Sequence, residues 1–212
     1  MLLLISGASG VGKTTVRLMI EDELAPEVES LELWHLDTIP AVPDISWRQR
    51  ITERAVERAA RYAEGGPHVL LAGDPIAPGE VLAAPSAADL DVAVCLLHAD
   101  PAAQNARLDL RNDPPEIRHL NLAYAEWLLA HATDPTHVPE ALTTDAWEEM
   151  EWRRWTELSR SDPRWRMTVI DTSRQTPEES SAAAIDWVRA ALAGDAPIFQ
   201  AGWFRQPDPG EQ

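Results

Sequence analysis

Eight consecutive residues, Gly7-Ala8-Ser9-Gly10-Val11-Gly12-Lys13-Thr14, constrain this chain more than any other feature. They satisfy G-x-x-x-x-G-K-[ST], with an apolar run, Leu2–Ser6, before them and a helical pattern, Lys13–Leu24, after them. The spacing has a physical cause. Gly7 and Gly12 let the backbone curl until successive N–H groups converge on phosphate oxygens. The start of the following helix adds partial positive charge. Lys13 then reaches the outer phosphates and the Thr14 hydroxyl can join a Mg²⁺ shell, with Thr15 closing the set of expected nucleotide contacts. Residues 7–14 therefore form a P-loop, or Walker A motif, for the phosphates of ATP or GTP.

The rest of the chain supplies the setting that such a loop needs. Five short apolar runs read as interior strands: Leu2–Ser6, Leu31–Leu36, His68–Ala72, Asp91–Leu97 and Arg166–Asp171. Helical patterns alternate with them at Lys13–Leu24, Ser46–Ala63, Pro101–Arg111, Glu116–His131, Thr143–Ser159 and Pro177–Ala193. Asp100 is the expected N-cap of the third of these, and Gly65-Gly66 the stop after the second. Alternation of this kind implies a parallel α/β sheet. Between Arg111 and Arg166 two helical patterns follow each other without a strand. Residues 112–165 are therefore expected to be a helical lid insertion in a single domain spanning 1–193, with 194–212 a loosely held tail.

Charge limits the partners. The 212 residues carry a net charge of −17, and no basic run offsets it, so the surface repels nucleic-acid phosphate. Of the 18 basic residues 17 are arginine, and Lys13 is the one lysine. No run approaches the ~18–20 apolar residues that a membrane span needs. The opening Met1-Leu2-Leu3-Leu4 reads as a buried strand, not a signal peptide, and a lone cysteine, Cys95, fits a reducing cytoplasm. A small-molecule substrate is the expected partner, for a monomer or a homodimer.

Two large P-loop classes lack their signatures here. A switch GTPase reads guanine with N-K-x-D, which needs a second lysine. Transport and remodelling ATPases place an acidic pair after a hydrophobic strand, whereas His68–Ala72 leads into Gly73-Asp74-Pro75. The remaining pattern resembles the nucleoside-monophosphate-kinase-like group of P-loop small-molecule kinases, which includes shikimate, gluconate and chloramphenicol kinases. The resemblance rests on the early loop, the strand ending Leu33-Trp34-His35-Leu36-Asp37, the helix Asp100–Arg111 with an R-L-x-x-R-type ending, and Val169-Ile170-Asp171-Thr172-Ser173 before Thr176-Pro177-Glu178-Glu179. It implies a three-layer sandwich with a five-stranded parallel sheet of order 2-3-1-4-5, ATP and Mg²⁺ as cofactors, and transfer of a phosphoryl group to a small molecule.

The same resemblance assigns roles. Lys13 with Arg107 and Arg111, four apart on one helical face, would stabilise the transferring phosphoryl group. Asp37 would orient and deprotonate a substrate hydroxyl. Asp74 is a candidate to bind substrate or to hold Mg²⁺ through water. Arg111 and Thr172 lie where the base of ATP is expected. A nucleoside-monophosphate kinase is the alternative enzyme, and it would need Arg48–Arg58 to grip an acceptor phosphate. Glu53 and Glu57 are interleaved there, which reads instead as a salt-bridged surface helix. A nucleotide-regulated binding protein without an acceptor is the alternative outside catalysis. Five of the nine tryptophans fall between Trp127 and Trp165, as packing for the insertion or as an apolar roof over a bulky substrate. The histidines show no metal-ligand spacing.

Overall fold

Leu2–Ser6 (β1) is buried along its whole length, as a strand covered on both faces must be. In the computed structural model, which describes residues 1–33, 44–63, 65–73 and 76–204, β1 is the central strand. It pairs in parallel with β3 (His68–Ala72), Leu2 opposite Val69, and with β4 (Asp91–His98), Leu2 opposite Val92. β2 (Val28–Glu32) lies outside β3, and β5 (Thr168–Asp171) outside β4, giving the order β2-β3-β1-β4-β5. This is the expected P-loop α/β topology.

The side-chain period of two divides the sheet between two cores. Leu3, Ile5, Leu70 and Cys95 face α1 (Lys13–Leu24) and α8 (Pro177–Ala193), meeting Val16, Ile20, Ile185 and Val188. Leu2, Leu4, Leu71 and Val94 face the other way, towards Ile51, Ala55 and Val56 of α2 (Ile45–Tyr62) and a cluster of tryptophans. Between the strands, α4 (Pro101–Leu110) begins at Asp100, whose Oδ1 accepts from Ala103 N at 2.8 Å.

Several expectations are corrected. The second strand runs over Val28–Glu32, so it begins three residues before the expected Leu31–Leu36, of which 34–36 lie outside the described residues. It is an edge strand in which Glu29, Ser30 and Glu32 are half-buried, so a search for an unbroken apolar run lands too late. A sixth strand, β6 (Ile198–Gln200), pairs antiparallel with Asp91–Ala93 of β4, so part of the expected tail belongs to the sheet. A short buried helix, α3 (Pro78–Ala83), follows β3 without any apolar period to announce it.

The insertion departs furthest. The first expected helix is there as α5 (Pro115–Thr133). The second, Thr143–Ser159, is replaced by two single turns, α6 (Glu140–Thr143) and α7 (Arg153–Thr156). The backbone between them is used elsewhere: Trp147 N donates to Gln49 Oε1 at 2.7 Å, Glu151 N to Ala83 O at 2.7 Å, and Asp145 takes a positive φ of 53°. Trp155 is fully buried against Gly79 of α3, where a Cβ would sit 2.7 Å from its ring. His131 stacks on Trp127 at 4.8 Å and meets the edges of Trp155 and Trp165 at 5.0 Å each. The tryptophans of this segment thus pack into the main core or against it, and the roof reading finds no support in them.

Candidate active site

The loop at 7–14 owes its shape to two close approaches. At Gly7, with φ of 145°, a Cβ would stand 2.6 Å from the Leu97 carbonyl oxygen, so only glycine lets the loop leave β1 against the end of β4. Gly12 takes φ of 104° at the N-cap of α1, a left-handed turn that brings the helix start round to the loop. Among the described residues no side chain caps that helix start, as suits an anion-binding turn. Lys13 is only 8% exposed, and its Nζ donates to Ala8 O at 2.7 Å, which holds the ammonium across the loop.

A cavity of about 420 Å³ opens over this cradle. Ser9, Gly10, Gly12, Lys13, Thr14 and Thr15 form its floor, and Thr14 and Thr15 are exposed. Arg107 and Arg111 wall one side; Arg17, Glu32, Ala72 and Gly73 wall the other. A second cavity of about 300 Å³ shares Gly12, Thr15 and Arg107 with the first and extends over Val11, Thr172, Gln175, Pro177 and Ser180.

The arginines from α4 differ in their fixation. Arg107 donates to Thr172 Oγ1 at 3.0 Å and to Thr172 O at 2.5 Å. Arg111, at the C-cap of α4, has a side chain 52% exposed and pairs with Asp113 at 2.8 Å. Thr172, expected near the base of the nucleotide, lines the second cavity; it is 1% exposed and its hydroxyl lies 3.2 Å from Val11 O and 3.0 Å from His98 O, so it ties loop, strand and helix together.

Asp37 and Asp74, the expected base and the expected Mg²⁺ or substrate acid, lie outside the described residues. The acid that does close β2 is Glu32, on the wall of the cavity over the loop and 3.2 Å from Arg17 Nη2. Neither residue was singled out from the sequence. Arg17 lies three after Thr14, one helical turn along α1, and that spacing could have found it; Glu32 needed the correct strand register.

Three arginines of α2 have partners away from this cavity. Arg48 pairs with the buried Glu80, its Nε 2.9 Å from Glu80 Oε1; Arg50 donates to Ser46 Oγ at 2.5 Å; Arg58 pairs with Glu29. Among the described residues no group of three or more His, Cys, Asp or Glu side chains could hold a metal ion, and no helix is long and apolar enough to cross a membrane.

No protein-family model matches the chain, and no curated protein sequence matches it. Solved structures do. The tunicamycin resistance protein of Deinococcus radiodurans is similar with a TM-score of 0.51 at 16% identity, over 93% of this chain and 97% of that one. The protein APE1195 gives 0.50 at 18% identity, over 91% and 96%. A sugar kinase from Janibacter sp. gives 0.48 at 18% identity, over 91% and 96%. With the sheet order β2-β3-β1-β4-β5 and the glycine loop at its centre, the chain shares the fold of the tunicamycin resistance protein and of APE1195.

Proposed function

We propose that this chain is an ATP- and Mg²⁺-dependent phosphotransferase that moves the γ-phosphoryl group of ATP to a hydroxyl of a small molecule. One observation carries the reading: the phosphate cradle, the lone lysine, three arginines and a carboxylate wall a single cavity. The base of ATP would occupy the adjoining 300 Å³ cavity, between Arg107 and the start of α8.

Each residue then has a physical task. Loop N–H groups and Lys13 take up the charge of the phosphates, and Arg107 and Arg111 that of the moving phosphoryl group, so the protein works mainly by position and electrostatics. The exposed Thr14 hydroxyl on the cavity floor and the Glu32 carboxylate on its wall fit a Mg²⁺ bound to the phosphates, directly or through water. That ion would neutralise charge between the β- and γ-phosphates. Asp37 is the proposed base for the acceptor hydroxyl, and Asp74 a proposed substrate or metal contact.

A hydroxyl acceptor is favoured over a nucleoside monophosphate because the arginines that would hold an acceptor phosphate are spoken for. Arg48 and Arg58 of α2 are ion-paired with Glu80 and Glu29, and Arg17 with Glu21 and Glu32. Movement over the site is assigned to residues 110–124, where Leu110, Ile117 and Leu120 are exposed, because the later part of the insertion is anchored in the core. The test is ADP release with ATP and Mg²⁺ against panels of sugars, nucleosides, hydroxylated antibiotics and nucleoside monophosphates. Turnover with a hydroxyl acceptor supports the reading; turnover with monophosphates alone, or tight ATP binding with no acceptor in any panel, defeats it.

A further inference from the structure

The crown of the phosphate loop, residues 9 to 11, is held by α4 at Ser9 and Gly10 and, through Thr172, at Val11. Gln104 Nε2 donates to Ser9 O at 2.8 Å. The Leu108 side chain closes on Gly10, where a Cβ would come within 2.9 Å of Leu108 Cδ2. The Val11 carbonyl is 3.2 Å from Thr172 Oγ1, and that hydroxyl is 3.0 Å from Arg107 Nη1. Positions 104, 107 and 108 lie on one helical face, so α4 meets Ser9 and Gly10 directly and Val11 through Thr172.

The consequence follows from the planar trans peptide, in which the C=O of one residue and the N–H of the next point in opposite directions. Fixing Ser9 O towards Gln104 turns the Gly10 N–H the other way, and Gly10 lines the phosphate cavity. Lys13 does the same from the other side, since its bond to Ala8 O fixes the N–H of Ser9. A carbonyl at residue 9 that lost its donor could swing towards the anion and repel it. Gln104 is 1% exposed, so no water replaces the carboxamide without a rearrangement. Its Nε2 also lies 3.4 Å from the Asn121 carbonyl of α5, at the start of the insertion.

We infer that Gln104 is a positioning residue: its carboxamide sets the orientation of the phosphate-binding N–H groups and links the loop to helix α5. This rests on the phosphotransferase reading of the same cavity. Nothing in the sequence marks the residue, because a glutamine inside a helix has no motif of its own.

Gln104→Met keeps the length of the side chain and removes both donors; Gln104→Asn keeps the amide but withdraws it by one methylene. The measurements are the affinities for ATP, ADP and adenosine by calorimetry, the thermal midpoint, and hydrogen exchange in residues 117–124 with and without ADP. Both variants should bind ATP and ADP about tenfold or more weakly, the scale of one buried hydrogen bond at an anion site. Adenosine, which carries no phosphate, should bind within about twofold of wild type, the midpoint should move little, and the ADP-dependent protection of residues 117–124 should disappear. ATP affinity within about twofold of wild type overturns the inference, as does an equal loss for adenosine and ATP, or protection that persists in both variants. A wild-type protein that binds no ATP defeats the phosphotransferase reading instead, so the two failures are distinct.

Discussion

At the phosphate loop, single polar atoms do the holding: the carbonyls of Ala8, Ser9 and Val11 meet Lys13, Gln104 and Thr172 at 2.7, 2.8 and 3.2 Å. In the insertion from Trp127 to Trp165 much of the holding is done by rings. Trp127, Trp155 and Trp165 surround His131, neither of whose ring nitrogens has a hydrogen-bond partner among the described residues. The first region is specified by direction, and displacing one atom there changes what the cavity can bind. The second is specified by volume and shape, and its losses should appear as stability, not as chemistry.

The sharpest way to break that contrast is at Lys13. Lys13→Ala should abolish transfer, by about 10³-fold or more, and weaken ATP binding, while thermal stability falls only modestly. Turnover and titration on the same preparation decide it; unchanged ATP affinity and turnover would remove the phosphate-loop assignment. Next comes the choice between carboxylates. Asp37→Asn should lower kcat by roughly 10²–10⁴ with ATP affinity within about threefold, the scale of a positioned base. Glu32→Gln and Asp74→Asn should act chiefly on Mg²⁺ dependence or substrate affinity. If Glu32→Gln loses turnover while Asp37→Asn keeps it, the base belongs to the end of β2.

Two variants probe the aromatic side. Trp155→Ala should cost about 3–5 kcal/mol of stability, the usual scale for emptying a buried indole site, and leave ATP affinity unchanged in the folded fraction. Denaturant titration and nucleotide titration read the two halves separately, and a selective loss of ATP binding would erase the contrast.

His131 gives a pH signature. Burial, with a smaller contribution from the nearby His137 opposed by Asp134, pushes its pKa down from 6.5 to about 3. The unfolded chain therefore binds a proton that the folded chain refuses between those values. Stability should be full above about pH 6.5 and fall as pH drops towards 3, by about 3 kcal/mol at pH 4. His131→Phe should remove that slope; a variant with the wild-type slope would assign the acid sensitivity to other groups.

The smallest effect expected is base choice. Preference for ATP over GTP should stay within about a hundredfold, or ~2.7 kcal/mol, in competition titrations. A larger preference for GTP would require a dedicated guanine reader, with Gln175 and Ser180, 3.0 Å apart in the second cavity, the first residues to test.

The same contrast explains how far the sequence could be read. β1, β3, α1 and α8 have the expected bounds because each is announced locally: an apolar run, a glycine turn, or the Thr176–Glu179 capping box with Pro177 behind it. β2 was misplaced because an edge strand has a weak apolar signal, and that error hid Glu32. The sequence over 143–159 reads as one helical pattern, with Trp147 and Trp155 inside it. In the fold each tryptophan answers to a distant partner, Gln49 for the Trp147 backbone and Gly79 for the Trp155 ring. β6 is three residues long and exists only because Asp91–Ala93 offers an edge. Gln104 was invisible for the same reason: its partners are 95 and 17 residues away.

Lys13 brings one more consequence, for handling the protein at the bench. Every other basic side chain is arginine, so Lys13 carries the only side-chain amine in the chain. An acylating reagent, or a protease that cuts only after lysine, has one internal address, and it sits in the cradle with 8% of its surface exposed. Its labelling rate therefore measures how often the loop opens, free of background from other lysines, and a bound triphosphate should slow that clock.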